Sequence, residues 1–330
     1  MIARYAVPFF LLMAFVIVPL VVFFLCCWLL PRCWGKKVGI AVALILMLFA
    51  AYGMFVGYEQ LEIHQVEYAS KDLPKAFDGY RIVQFSDAHV GTMTGRRAWL
   101  LQRAVDSILA LKPDMIVFTG DLQNVYPEEL EQHLLQLQRL KAPDGVYSVL
   151  GNHDYAVYQP CDSLTKEANC AKTQALFRQT GWTLLMNEHR IIRRDSDSIV
   201  IAGMENWGIV KRMPRRGDVK KTLADLNSQS HSTFHIPHST FIIMLQHDPT
   251  AWREKILPEC NAQLTLSGHT HGGQVSLFGW SPAALSYQDY EGMVYEGSRA
   301  MYVSTGLGAL IPFRLALPGE IVVITLRKQK

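Results

Sequence analysis

An aspartate and a histidine stand two residues apart at Asp87-Ala88-His89, and two histidines share that spacing at His269-Thr270-His271. Mixed carboxylate and imidazole donors suit Mn²⁺, Zn²⁺ or Fe, whereas an all-oxygen set would suit Mg²⁺ or Ca²⁺. In extended backbone, residues two apart point to the same face, so each pair can converge on one ion. Three further polar groups follow apolar runs: Gly120-Asp121, Gly151-Asn152-His153-Asp154 and Gln246-His247-Asp248. An Asp after a strand is commonly a turn residue or helix cap, and a lone His is commonly an ordinary polar residue. Five such groups in one chain point instead to a shared metal centre.

The elements that must position these groups are legible around them. Short apolar runs at residues 81–86, 115–120, 146–151, 198–205, 241–246 and 262–268 read as strands, each ending at or near a polar group. Helical patterns at 96–111 and 128–140, with shorter ones at 171–180 and 218–227, lie between them, and an alternating run at 320–327 suits a final strand. This is an α/β pattern, and ligand-bearing loops at strand ends are the expected site in an open α/β sheet. The division expected is a membrane anchor over residues 1–57 and one catalytic domain over 58–330.

The ordered set D-x-H, G-D, G-N-H-D, H and G-H-x-H resembles that of the calcineurin-like metallophosphoesterase superfamily, over roughly residues 80–327. The segments Leu245-Gln246-His247-Asp248-Pro249, Ser267-Gly268-His269-Thr270-His271-Gly272-Gly273-Gln274 and Gly306-Leu307-Gly308 are similar to its membrane-associated bacterial branch. The resemblance implies a four-layer α/β/β/α sandwich with two divalent metal ions between strand ends. Asp87, His89 and His271 would hold one metal, Asn152, His247 and His269 the other, and Asp121 would bridge them. His153 would lie outside the ligand set and contact the phosphate. Such a site hydrolyses phosphomonoesters, phosphodiesters or pyrophosphates by metal-bound hydroxide, with no nucleophilic Ser or Cys. His153 would stabilise phosphoryl oxygens or protonate the leaving group. The sequence departs from the family at Ala88, at Met204-Glu205-Asn206-Trp207 and at Gly319-Glu320, none of them a ligand position.

Arg4, Arg32, Lys36 and Lys37 are the only charged residues before Glu59, so the other 28 basic and 29 acidic residues leave a body of net charge −1. A near-neutral body argues against nucleic acid as partner. Residues 5–30 and 38–57 are apolar runs long enough to span a bilayer, and the first is too long for a signal-peptide core. The basic loop between them, at residues 31–37, is expected in the cytoplasm. That sends both termini and the catalytic domain to the other side, the periplasm in a Gram-negative cell. Cys161 and Cys170, nine apart in one insertion, are expected to pair there in a disulfide that holds a lid. The protein is thus expected to be a multi-pass protein of the cytoplasmic membrane, acting on an envelope phosphoester, lipid-linked substrates included.

Other features carry less. His231, His235 and His238 lie among Ser, Thr and Pro and read as a solvated loop. The basic run from Lys211 to Lys221 could meet anionic headgroups or form a solvated surface. Trp207, Trp280 and Tyr287 could line an apolar substrate path but are set aside as core. Two other functions compete with the envelope hydrolase. Some membrane-associated members of the superfamily hydrolyse UDP-2,3-diacylglucosamine in lipid A synthesis, which requires a cytoplasmic site. A binding or sensor protein without turnover is the rival from another class, disfavoured by the complete ligand set.

Overall fold

The computed structural model describes residues 2–226 and 240–329. His231, His235 and His238 lie outside the described residues. Two helices at the N-terminus are long and apolar enough to cross a membrane, Ala6–Leu29 and Arg32–Glu59. The connection between them is tighter than the sequence suggests. Pro31 has an extended backbone that opens the second helix, and its carbonyl accepts from the amides of Trp34 and Gly35. Arg32, Lys36 and Lys37 therefore lie on the first helical turns rather than in a loop, though still at the same end of the pair. Gly35, Gly39 and Ala43 recur every four residues along the buried stripe of this helix. A Cβ on Gly35 would stand only 2.9 Å from the Cys26 carbonyl oxygen, so the small residues are what let the two backbones approach.

Among the described residues the body forms two six-stranded sheets. The first runs in the order β1 (Leu61–Ser70), β12 (Gly319–Lys328), β2 (Arg81–Phe85), β3 (Met115–Phe118), β4 (Val146–Ser148) and β5 (Thr183–Leu184). The second runs β10 (Gly292–Glu296), β11 (Arg299–Val303), β9 (Leu264–Ser267), β8 (Phe241–Leu245), β7 (Asp197–Gly203) and β6 (Glu188–Arg194). Strands β2, β3 and β4 are parallel, as are β7, β8 and β9, so the loops after them emerge at common edges.

Alternation along the strands decides what packs where. Ile82, Met115 and Val117 of the first sheet share a core with Ile201, Ile243 and Leu266 of the second. Their neighbours Val83, Phe85, Ile116 and Phe118 point the other way, into a core with Leu101, Val105 and Ile108 of the helix Ala98–Ala110 and Phe177 of the helix Ser163–Gln179. Beyond the second sheet, Val200, Ala202 and Met244 pack with Trp252 and Ile256. The metal-ligand candidates lie where both sheets end.

Three elements differ from expectation. The run at 128–140 forms two single helical turns, Glu128–Glu131 and Leu134–Leu137. The short helix expected at 171–180 begins eight residues earlier, at Ser163, where Asp162 caps it by accepting from the Thr165 amide at 2.9 Å. Of the helix expected at 218–227, the described residues form the turn Val219–Thr222 followed by Ala224–Leu226. The second change corrects the expected disulfide. Cys170 is buried on the packed face of a helix and accepts from the Gln174 side chain, Cys161 precedes the cap, and both thiols are free. The insertion is a helix packed on the core, not an overhanging loop that needs a tie.

Candidate metal centre

Asp121 follows β3 and stands at the middle of the site. Its Oδ2 lies 3.2 Å from His247 Nε2 and 3.8 Å from His89 Nε2. His271 Nε2 lies 3.5 Å from Asp87 Oδ1, and His269 Nδ1 lies 3.2 Å from His247 Nε2. Donor atoms of Asp87, His89 and His271 fall within 4.8 Å of one another, as do those of Asp121, His247 and His269. The candidate ligands Asp87, His89, Asp121, His247, His269 and His271 are thus brought together, and a third group, His89, Asp121 and His153, meets the same distance. Asn152 lies beside them on the loop after β4, its Nδ2 donating to the Tyr158 hydroxyl at 2.8 Å.

The unmet hydrogen-bonding capacity of the site tests whether these residues fit metal ions. Asp87 Oδ1, both nitrogens of His89, Asn152 Oδ1 and His271 Nδ1 are buried without a hydrogen-bond partner. Buried polar atoms without partners are costly, and five of those among the described residues belong to four of the candidate ligands. The other atom of the same group is often engaged. Asp87 Oδ2 accepts from the Ser86 hydroxyl at 2.5 Å and the His269 amide at 2.9 Å, which leaves Oδ1 free to ligate. His247 Nδ1 lies 2.7 Å from the Thr119 carbonyl, which as acceptor holds a proton at Nδ1 and leaves Nε2, facing Asp121, as the atom that could ligate. The residues therefore fit divalent metal ions.

Convergence is not achieved by strand alternation. Asp87, His89, Asp121, His269 and His271 all have left-handed backbones, with φ of 49°, 44°, 61°, 75° and 53°. Each strand has ended before its ligand, and the chain coils tightly to turn successive side chains inward. Such conformations are disfavoured for residues with a Cβ and persist where the surroundings over-determine them. Part of that determination is visible. Asp154, the last residue of the G-N-H-D motif, accepts from the amides of Gly151, Asp121, Leu122 and Gln123, tying the β3 and β4 loops together. A side chain on Gly151 would collide with the Asp121 carboxylate, and one on Gly268 with Ser86 and Asp87.

Charge distribution in the metal-free site follows from burial. Burial opposes ionisation of Asp121, yet the imidazoles of His247, His153 and His89 hold its carboxyl well below the usual range. Burial pushes His89 and His271 down to about 3, so both are neutral and able to ligate. Burial also disfavours charge on His247, but Asp121 outweighs it and brings that imidazole up to about 10. To hold a metal ion, His247 would have to give up that proton. Burial, with the Asp121 charge beside it, raises Asp154 to about 7 against the pull of its amide donors.

His153 is placed differently. Its Nδ1 lies 2.5 Å from the Asn124 carbonyl, its amide donates to Asp121 Oδ1 at 2.8 Å, and its ring stacks on Tyr158 at 4.4 Å. With Nδ1–H donated, Nε2 is the free atom. Sequence reasoning missed Tyr158 and Asp154 and set Tyr287 aside, although the Tyr287 hydroxyl lies 3.0 Å from His269 Nε2. Asp154 was open to assignment from its motif, whereas a tyrosine 16 residues beyond His271 carries no spacing signal.

The profile of the calcineurin-like phosphoesterase family matches residues 80–273. The chain belongs to that family. It is 32% identical over 285 residues to an uncharacterized metallophosphoesterase of Bacillus subtilis, YkuE, covering 82% of this chain and 89% of that protein. A zebrafish transmembrane protein with a metallophosphoesterase domain is 30% identical, over 86% of this chain and 62% of its own. The UDP-2,3-diacylglucosamine pyrophosphatase LpxG of Chlamydia trachomatis is 29% identical, over 87% and 97%. Family and transmembrane relatives agree with a metal-binding, membrane-associated protein.

Proposed function

We propose that the protein is a phosphoesterase with a dinuclear metal centre, anchored by residues 1–57 and catalytic in residues 58–330. The observation that carries this reading is the set of partnerless buried donor atoms around Asp121. Asp87, His89 and His271 would hold one ion, and Asn152, His247 and His269 the second, with Asp121 shared between them. When bound, the two ions supply the Lewis acidity that activates water and offsets phosphoryl charge. His153 presents Nε2 to the phosphoryl group and can pass a proton to the leaving oxygen. Asn152 ligates without adding negative charge, so the site stays attractive to an anion. Turnover of bis(p-nitrophenyl) phosphate by the detergent-purified full chain with added Mn²⁺ tests the reading. Absence of turnover with Mn²⁺, Zn²⁺ and Fe²⁺ alike would favour a sensor.

The substrate we propose is an envelope phosphoester, with the catalytic domain outside the cytoplasm. Support comes from Arg32, Lys36 and Lys37, gathered at the end of the helix pair opposite the catalytic domain. The free thiols of Cys161 and Cys170 withdraw the second argument for that placement. The likeness to LpxG favours one other reading, hydrolysis of UDP-2,3-diacylglucosamine at the cytoplasmic face. A reporter fused to the C-terminus separates the two.

A further inference from the structure

Beside the metal centre, the chain from Gly272 to Gln288 carries no charged residue and ends its first half in a two-residue hairpin. Leu277 and Trp280 exchange both backbone hydrogen bonds, at 2.9 and 3.0 Å, and Phe278 and Gly279 form the tip with φ of 53° and 78°. Phe278 is fully exposed, Leu285 is 79% exposed, and Leu277 and Trp280 are each about half exposed. A cluster of large apolar side chains pointing away from the core marks an interaction surface.

What lies next to the hairpin identifies the occupant. Val275 bridges to Leu315, the Ser276 amide donates to the Leu315 carbonyl at 3.0 Å, and Gln274 Nε2 donates to the Ile311 and Phe313 carbonyls. Phe313 in turn touches both membrane-spanning helices. Its ring packs on Phe10 with centroids 4.9 Å apart and fills the space over Gly53, where a Cβ would collide with it. Phe10 lies near the start of the span Ala6–Leu29, and Gly53 near the end of Arg32–Glu59, so both mark the same end of the helix pair. The hairpin is thus one hydrogen-bonded step from a segment seated where both spans leave the bilayer. A soluble partner or a second copy would have to share that place with lipid. Trp, Phe and Leu on an uncharged loop at this depth match the interfacial region of a membrane.

We propose that Leu277, Phe278, Trp280 and Leu285 insert into the leaflet at which both spans end, seating the metal centre on the bilayer surface, and that its substrates are phosphoesters bearing a lipid tail. The link from tip to site is short: His271 is three residues before Gln274, and Leu285 is two residues before Tyr287, which meets His269. The substrate half of this statement rests on the phosphoesterase reading above; the seating half does not.

The test uses full-length protein in phosphatidylcholine nanodiscs made with ordinary or dibrominated chains. The emission that Trp280→Phe removes from the wild type reports on Trp280 alone, and it should be quenched by the brominated lipid. Equal emission in both lipids overturns the seating. In the same discs, Phe278→Asn with Leu285→Ser should lower kcat/KM for hexadecyl p-nitrophenyl phosphate about a hundredfold or more, the scale set by withdrawing two large side chains from an apolar environment. Turnover of soluble bis(p-nitrophenyl) phosphate should stay within about twofold, since neither residue contacts the site. An equal loss on both substrates makes the tip structural and overturns the substrate class. Failure of the wild type on both substrates refutes the phosphoesterase reading, while bromine quenching still decides the seating.

Discussion

Replacing His153 by Ala separates the two roles its position allows. Its donor atoms fall within 4.8 Å of those of His89 and Asp121, so on distance alone the imidazole could be a metal ligand. In the proposed site it stands outside the ligand set, with Nε2 turned to the phosphoryl group. Nδ1 is occupied by the Asn124 carbonyl at 2.5 Å, and the bond that reaches Asp121, at 2.8 Å, comes from the backbone amide and survives truncation. The seven proposed ligands keep their hydrogen bonds in the variant and lose only the ring contact of His89 with His153 at 4.9 Å, so metal content should not change. What is lost is one imidazole acting on the phosphoryl group, a role commonly worth about 10² to 10⁴ in rate, or roughly 3 to 5 kcal/mol of barrier. The assay is kcat on bis(p-nitrophenyl) phosphate alongside metals per chain by plasma mass spectrometry. Loss of one metal per chain from His153→Ala would refute the reasoning and make His153 a ligand.

Tyr287→Phe removes the hydroxyl 3.0 Å from His269 Nε2, and loss of such a ligand-orienting contact should weaken binding of one metal about 10- to 100-fold, measured by competition with a chelator. A pH effect should appear far from the metals. His64 on β1 lies 3.1 Å from Glu320 and 3.2 Å from Glu62, whose hydrogen bonds and charges hold its pKa up to about 9 from 6.5. Raised in the folded state, this group stabilises fully below pH 6.5 and loses its contribution as pH rises through about 9. Half of the side chain is exposed, so the pair's worth is modest, and the melting temperature of wild type relative to His64→Gln should fall by only about 1–3 °C across that window. A difference that is flat in pH, followed by calorimetry, would show that the pair contributes nothing.

The candidate ligands stood out in the sequence because each follows an apolar strand, and those strands appear within a few residues of where pattern reading puts them. The reason given for their convergence was not the operative one. Two-apart spacing suggests alternation on a strand, but β2 ends at Phe85 and β9 at Ser267, and left-handed turns do the aiming. No residue-type signal marks such turns when they are occupied by Asp and His rather than Gly. Strand β1 was passed over because Glu62, Ile63, His64 and Gln65 are exposed in unbroken succession, with no alternation to read, and only pairing with β12 makes it a strand. The helix Ser163–Gln179 lost its first half to a polar opening whose only cue is the Asp162 cap. Cysteine spacing predicted a bridge because nine residues suit a loop; on a helix that faces the core, Cys170 is simply a small buried side chain. Tyr158 and Tyr287 reach the site from loops whose path depends on the whole fold.

Metal stoichiometry measured together with turnover, for the full-length wild type and Asp121→Asn, tests the central claim most directly. Asp121 Oδ2 stands within 3.2 and 3.8 Å of histidines from both clusters, and an amide bridges two cations far less well than a carboxylate. The account predicts two divalent ions per wild-type chain with hydrolysis of bis(p-nitrophenyl) phosphate, and in the variant loss of most metal and nearly all turnover. Two retained ions with near-normal turnover in Asp121→Asn would contradict it.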